Sequence, residues 1–115
     1  MLASSPREVA ESYWRAECSR DIEAILAHFH EDAELIAPGA SLRGHEDIRR
    51  FYEDAIERFP GLEVTIVHGL TVGDEACLEW EAVMIDHEGG RHPQSGANVI
   101  RVSGGKFTRI RVYAG

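Results

Sequence analysis

The stretch "EDIRRFYEDAIERFPGLEVTIVHGLTVG", Glu46–Gly73, holds two periodicities joined at a proline and a glycine. In its first half Ile48, Phe51, Tyr52, Ala55 and Phe59 recur every three or four residues, the spacing of one helix face. Pro60–Gly61 stops that helix, and from Leu62 the pattern becomes that of a strand. Three more strand-like segments follow: "EACLEWEAVMID" (75–86), "RHPQSGANVIRVS" (91–103) and "KFTRIRVYA" (106–114), with glycine-containing turns between them.

Upstream, Ser5, Pro6 and Glu8 have the spacing of a helix cap, and Val9, Tyr13, Trp14 and Ala16 continue at helical intervals. Arg20 interrupts the apolar pattern, and Asp21 caps a short second helix, "DIEAILAHF", with Ile22, Ile25, Leu26 and Phe29 on its face. A short strand, "AELIAPG", precedes the polar turn "SLRGHED" and the helix of the opening stretch. Helices first and consecutive antiparallel strands afterwards predict an α+β fold, with the helices on one face of the sheet.

The 115 residues suit one domain, 1–115, and 43% hydrophobic with 28% charged residues is the balance of a globular chain. Twenty acidic against 12 basic residues give a formal charge of −8, which argues against a nucleic-acid partner. Cys18 and Cys77 lack the spacing of a zinc site and are expected as buried free thiols. No stretch has the length of a membrane span and the opening residues lack a signal-peptide core. A cytoplasmic protein with no membrane partner is expected.

Side-chain alternation assigns faces. Leu78, Trp80, Ala82 and Met84 share one parity, with Glu79 and Glu81 on the other. On the next strand Asn98 shares the apolar parity of Gly96, Ile100 and Val102, so an amide is expected among apolar neighbours, where it needs partners.

Several phrases in this order are similar to a known family. "YWRAECSRDIEAILAHFHEDAELIAPG" and "LRGHEDIRRFYEDAIERFP" resemble the front half of the nuclear transport factor 2-like superfamily, nearest its polyketide-cyclase-like (SnoaL-like) and ketosteroid-isomerase-like members. "GDEACLEWEA" and "GANVIRVSGGKFTRIRVY" resemble its back half, so the likeness runs from Val9 to Tyr113. It implies a cone-shaped α+β barrel: three helices on a strongly curved, mainly antiparallel sheet, enclosing an apolar pocket. It also implies a homodimer through the sheet. The fold hosts isomerases, cyclases, hydrolases, dehydratases and non-catalytic binders, so it does not select an activity.

Ketosteroid isomerases use a carboxylate base and two hydrogen-bond donors that stabilise a dienolate. Carried over by the resemblance, one donor falls on Tyr13 and the other, an aspartic acid in those enzymes, on Asn98, whose amide still donates. The base falls on Ala37, which cannot take a proton. His92 in the "HEGGRHPQSG" hairpin, beside His87, Glu88 and Gln94, and Asp86, with the parity of Met84, are the candidates to replace it. The competing reading of Tyr13 and Asn98 is a buried polar pair that satisfies itself.

Trp14, Phe29, Leu35, Phe51, Tyr52, Trp80, Met84 and Ile110 are candidates to line a pocket for a small apolar or aromatic ligand, and Tyr113 to cap it. The histidines and acids His28, His30, Asp32 and Glu34 read as helix end, turn and outer strand face, so no metal and no cofactor is expected. The function expected is binding of an apolar molecule, with isomerase, cyclase or dehydratase-type proton transfer next to a carbonyl. The alternatives are a non-catalytic ligand carrier, or an interaction module whose mixed-charge outer face (Glu79, Glu81, Arg101, Arg109, Arg111) pairs two copies.

Overall fold

A computed structural model describes residues 4–114. Helix α1 (Pro6–Ser19) starts on a reciprocal cap: the Ser5 hydroxyl accepts from the Glu8 amide at 3.1 Å, and the Glu8 carboxylate accepts from the Ser5 amide at 2.9 Å. It ends at Arg20, which takes a left-handed conformation (φ 59°). The Arg20 guanidinium then crosses to the end of α3 (His45–Arg58), donating to the Phe59 carbonyl at 2.7 Å and the Ala55 carbonyl at 3.3 Å. One side chain thus takes the carbonyl of the capping residue Phe59 and shares that of Ala55 with the Phe59 amide.

Helix α2 (Ile22–Leu26) is shorter than its apolar pattern suggested, and Phe29 begins strand β1 (Phe29–Ala37) instead of ending the helix. The polar turn expected after Pro38 contains a further short strand, β2 (Ala40–Arg43), paired antiparallel with β1. His30 and Asp32, expected in a turn, therefore lie in β1. The other strands are β3 (Gly61–Val72), β4 (Glu75–Ile85), β5 (Arg91–Ser103) and β6 (Lys106–Ala114). They form one six-stranded sheet ordered β2-β1-β6-β5-β4-β3, antiparallel throughout except for β1 beside β6.

Three register shifts bend the ladder, within β1/β6, β3/β4 and β5/β6. The shift opposite Arg101 and Val102 lets Phe107 and Ile110 both face the core, although they are three residues apart. The shift after Ile66 turns the end of β3 over: Leu62, Val64 and Ile66 pack on the core, whereas Leu70 and Val72 are exposed. Gly69 takes the inward position there, and a Cβ on it would stand 2.6 Å from Leu78 Cδ2.

The helices cover the concave side of the curled sheet. Between them Phe29, Leu35, Leu78, Ile100, Phe107 and Ile110 are essentially sealed from solvent. Among the described residues Asn98 is the one amide side chain buried in this core. Cys18 and Cys77 are free and only half-buried, a correction to the fully buried thiols expected. No helix among the described residues is long and apolar enough to cross a membrane.

Candidate functional site

A cavity of about 200 Å³ lies between α1, α3 and the concave sheet face. Four of the aromatic and apolar candidates reach it: Trp14 from α1, Phe51 from α3, and Trp80 and Met84 from β4. The other four do not. Phe29, Leu35, Tyr52 and Ile110 are each 3% exposed or less and belong to the packed layer around the cavity. Ala37 stands in the wall, where the resemblance put a base.

Asn98 also lines the cavity, and its orientation is determined by its neighbour. The Trp80 indole Nε1 donates to Asn98 Oδ1 at 3.0 Å. An indole N–H can only donate, so the amide must turn its oxygen to Trp80 and carry its NH₂ on the other side. Trp80 in turn fits because residue 96 is glycine: a Cβ there would lie 2.8 Å from the indole and 2.3 Å from the Tyr113 carbonyl oxygen. Tyr13 and Asn98 do not satisfy each other. The Tyr13 hydroxyl is hydrogen-bonded to the hydroxyl of Tyr52, and its ring is held edge-on by Phe29 and Phe107.

The candidate replacement bases lie elsewhere. Asp86 closes the β4–β5 turn, accepting from the Glu88 amide at 2.9 Å and the Gly90 amide at 2.8 Å. Its second oxygen meets His92 Nε2 at 2.8 Å, and that pair holds the Asp86 carboxyl below its ordinary range together with the two amides. Neither residue is in the cavity wall; Asp86 was expected on the inner face and is instead consumed by the turn. His87 and Glu88 are exposed in the same hairpin, whereas Gln94 does reach the cavity.

The sequence reading missed a carboxylate that does reach it. Glu17 lines the cavity one helical turn after Tyr13. Burial pushes its pKa up to about 7, against the opposing pull of hydrogen bonding to Tyr13 and the charge of Arg20. Burial, with the Glu17 charge next, likewise drives both Tyr13 and Tyr52 well above the ordinary tyrosine value. The signal was present in the sequence: Val9, Tyr13 and Glu17 follow at intervals of four, so the acid continues an apolar stripe.

The histidines of the first strand region make other bonds. His28 Nδ1 donates to the Ala24 carbonyl at 2.8 Å and its Nε2 accepts from the Ser12 hydroxyl at 2.8 Å. His30 Nε2 donates to the Ser103 carbonyl at 2.7 Å, and Glu34 pairs with Arg43 at 3.2 Å. Among the described residues no cluster of His, Cys, Asp and Glu is arranged to hold a metal.

Known proteins give the context. No curated protein matches the chain in sequence. Among solved structures, TerC co-crystallized with polyporic acid superposes with a TM-score of 0.84 at 21% identity, over 97% of this chain and 92% of that one. A protein with a ketosteroid isomerase-like fold from Catenulispora acidiphila, in complex with trimethylamine, gives 0.83 at 18% identity, over 96% and 86%. AclR, a putative hydroxylase from Streptomyces galilaeus, gives 0.81 at 14% identity, over 96% and 78%. At these identities the likeness is one of fold. The family model of the SnoaL-like domain matches residues 10–110, and the chain belongs to that family.

Proposed function

We propose that the protein binds a small apolar or aromatic carbonyl compound in the cone cavity and moves a proton next to the carbonyl, in an isomerase, cyclase or dehydratase-type reaction. The observation that carries this reading is the fixed amide of Asn98. It brings a donor whose orientation is dictated by Trp80 to a wall otherwise made largely of apolar side chains. A ketone oxygen is the natural partner of such a donor, and Tyr13 is offered as the second. Two structural neighbours were crystallised with small molecules, polyporic acid and trimethylamine, which supports a ligand-binding role for the cone.

The test is titration with 2-tetralone, a bicyclic aromatic ketone, followed by tryptophan fluorescence. The chain's two tryptophans, Trp14 and Trp80, both line the cavity. Saturable quenching is expected, with binding weakened roughly tenfold in Asn98→Leu. Absence of quenching up to the solubility of the ketone would refute the carbonyl reading. Binding without turnover of any enolisable ketone would favour the non-catalytic carrier.

The outer sheet face supports pairing of two copies. Val67, Leu70, Val72, Val99 and Tyr113 are 39–80% exposed there, beside the exposed Glu79, Glu81 and Arg101. Apolar residues bordered by both signs of charge suit a self-complementary interface. The free thiols of Cys18 and Cys77 fit a reducing cytoplasm as the place of action.

A further inference from the structure

We propose that Glu17 is the acid–base group of this cavity, taking a proton from the carbon next to a bound ketone and returning it to the same or a conjugated carbon. The inference rests on the carbonyl-binding reading above and supplies the base that Ala37 cannot. It starts from what lines the cavity. From β1, β3, β4, β5 and β6 the wall receives uncharged side chains only, among them Ala37, Val64, Met84, Gln94 and Val112. Apart from the Tyr13 phenol, Glu17 is the ionisable group in the wall among the described residues, and it comes from the helix side while Asn98 comes from the sheet.

The Tyr13 hydroxyl is hydrogen-bonded to that of Tyr52, and its nearness to Glu17 opposes the rise in the carboxyl's proton affinity. The charged and titratable neighbours are few: Tyr13 and Cys18 on the same helix, Arg20 at its end, and Tyr52 from α3. Burial against these groups leaves the carboxyl divided between its two forms near neutral pH, the condition for taking and giving a proton equally well.

The step balances without an oxidant. The C–H bond next to the carbonyl breaks and its electron pair forms the carbon–carbon double bond of the enolate. The carbonyl pair moves onto oxygen, which accepts from the Asn98 amide, and the proton forms an O–H bond on Glu17. Reversal, at the same carbon or at the far end of a conjugated system, restores the carboxylate. The substrate class is a small enolisable ketone, limited in size by a cavity of about 200 Å³.

The experiment is hydrogen–deuterium exchange at the carbons flanking the carbonyl of 2-tetralone in D₂O, followed by NMR with the whole protein. Exchange faster than in buffer is expected, rising with pH as Glu17 ionises around 7. Glu17→Gln is expected to reduce it about 100-fold or more while still quenching tryptophan fluorescence with the ketone. If the wild type binds the ketone yet exchanges no faster than buffer, the Glu17 proposal falls and the binding reading stands. Exchange that survives Glu17→Gln and is lost in His92→Ala or Asp86→Asn would overturn it in favour of the hairpin pair. Failure of the wild type to bind the ketone overturns the carbonyl reading and this proposal together.

Discussion

Glu17 shows how one residue couples stability to function. Its pKa is raised by burial, so the folded protein holds the proton more tightly than the unfolded chain does. The associated stability is fully present below the ordinary carboxyl range and is lost as pH rises through about 7. Glu17→Gln cannot ionise, and its unfolding free energy should exceed that of the wild type by about 2 kcal/mol near pH 8. The advantage should vanish at pH ~4, below the ordinary carboxyl range. Urea unfolding at the two pH values measures this directly, and a variant less stable than wild type near pH 8 would contradict it. A site that sacrifices stability for a poised carboxyl is a recognised trade.

Asn98 was legible in the sequence because strand alternation alone put a polar residue on an apolar face. Which half of its amide faces the cavity was not legible. That depends on Trp80, 18 residues away, which meets Asn98 only through the pairing of β4 with β5. Asp86 illustrates the opposite case. Its parity was correct for the inner face, but a carboxylate at a tight turn finds backbone amides closer than any cavity.

At the scale of elements, register does what composition cannot. β3 reads as one alternating strand from Leu62 to Val72, with its large apolar residues on even positions apart from Val67. One extra residue after Ile66 inverts the remainder, and Leu70 and Val72 leave the core for the outer face. The β4–β5 pairing is as strict. Gly96 sits opposite Trp80, and a methyl group there would meet both the indole and the backbone of β6. Gly96→Ala should therefore cost about 1–3 kcal/mol. It should also shift Trp80 away from Asn98, read as a changed near-ultraviolet circular dichroism signal in the folded variant. An alanine variant with unchanged stability and spectrum would show that β6 can yield.

For the whole molecule, the same curvature makes two surfaces of different use. The concave side, closed by α1 and α3, holds the cavity; the convex side carries the exposed apolar residues that the β3 bulge and the outward positions of β5 and β6 leave uncovered. A homodimer through the convex side should appear in sedimentation equilibrium. A single charge placed in the patch, as in Leu70→Lys, should weaken it by about tenfold or more while leaving the fold intact. A strict monomer at high concentration would remove the interface.

The order of helices and strands, the turns between β3 and β6, and the inward placement of Asn98 were determined by the sequence itself, because periodicity and turn chemistry are local properties of the chain. The extra strand β2, the bulges, the Tyr13–Tyr52 hydroxyl pair, the amide fixed by Trp80 and the raised pKa of Glu17 were decided only by the tertiary structure. β2 folds back on β1 across the Pro38–Gly39 turn, whereas the hydroxyl pair and the fixed amide depend on groups far apart in sequence, and they and the carboxyl sit where water is scarce. There a hydrogen bond acquires a single possible direction, and a carboxyl a new proton affinity.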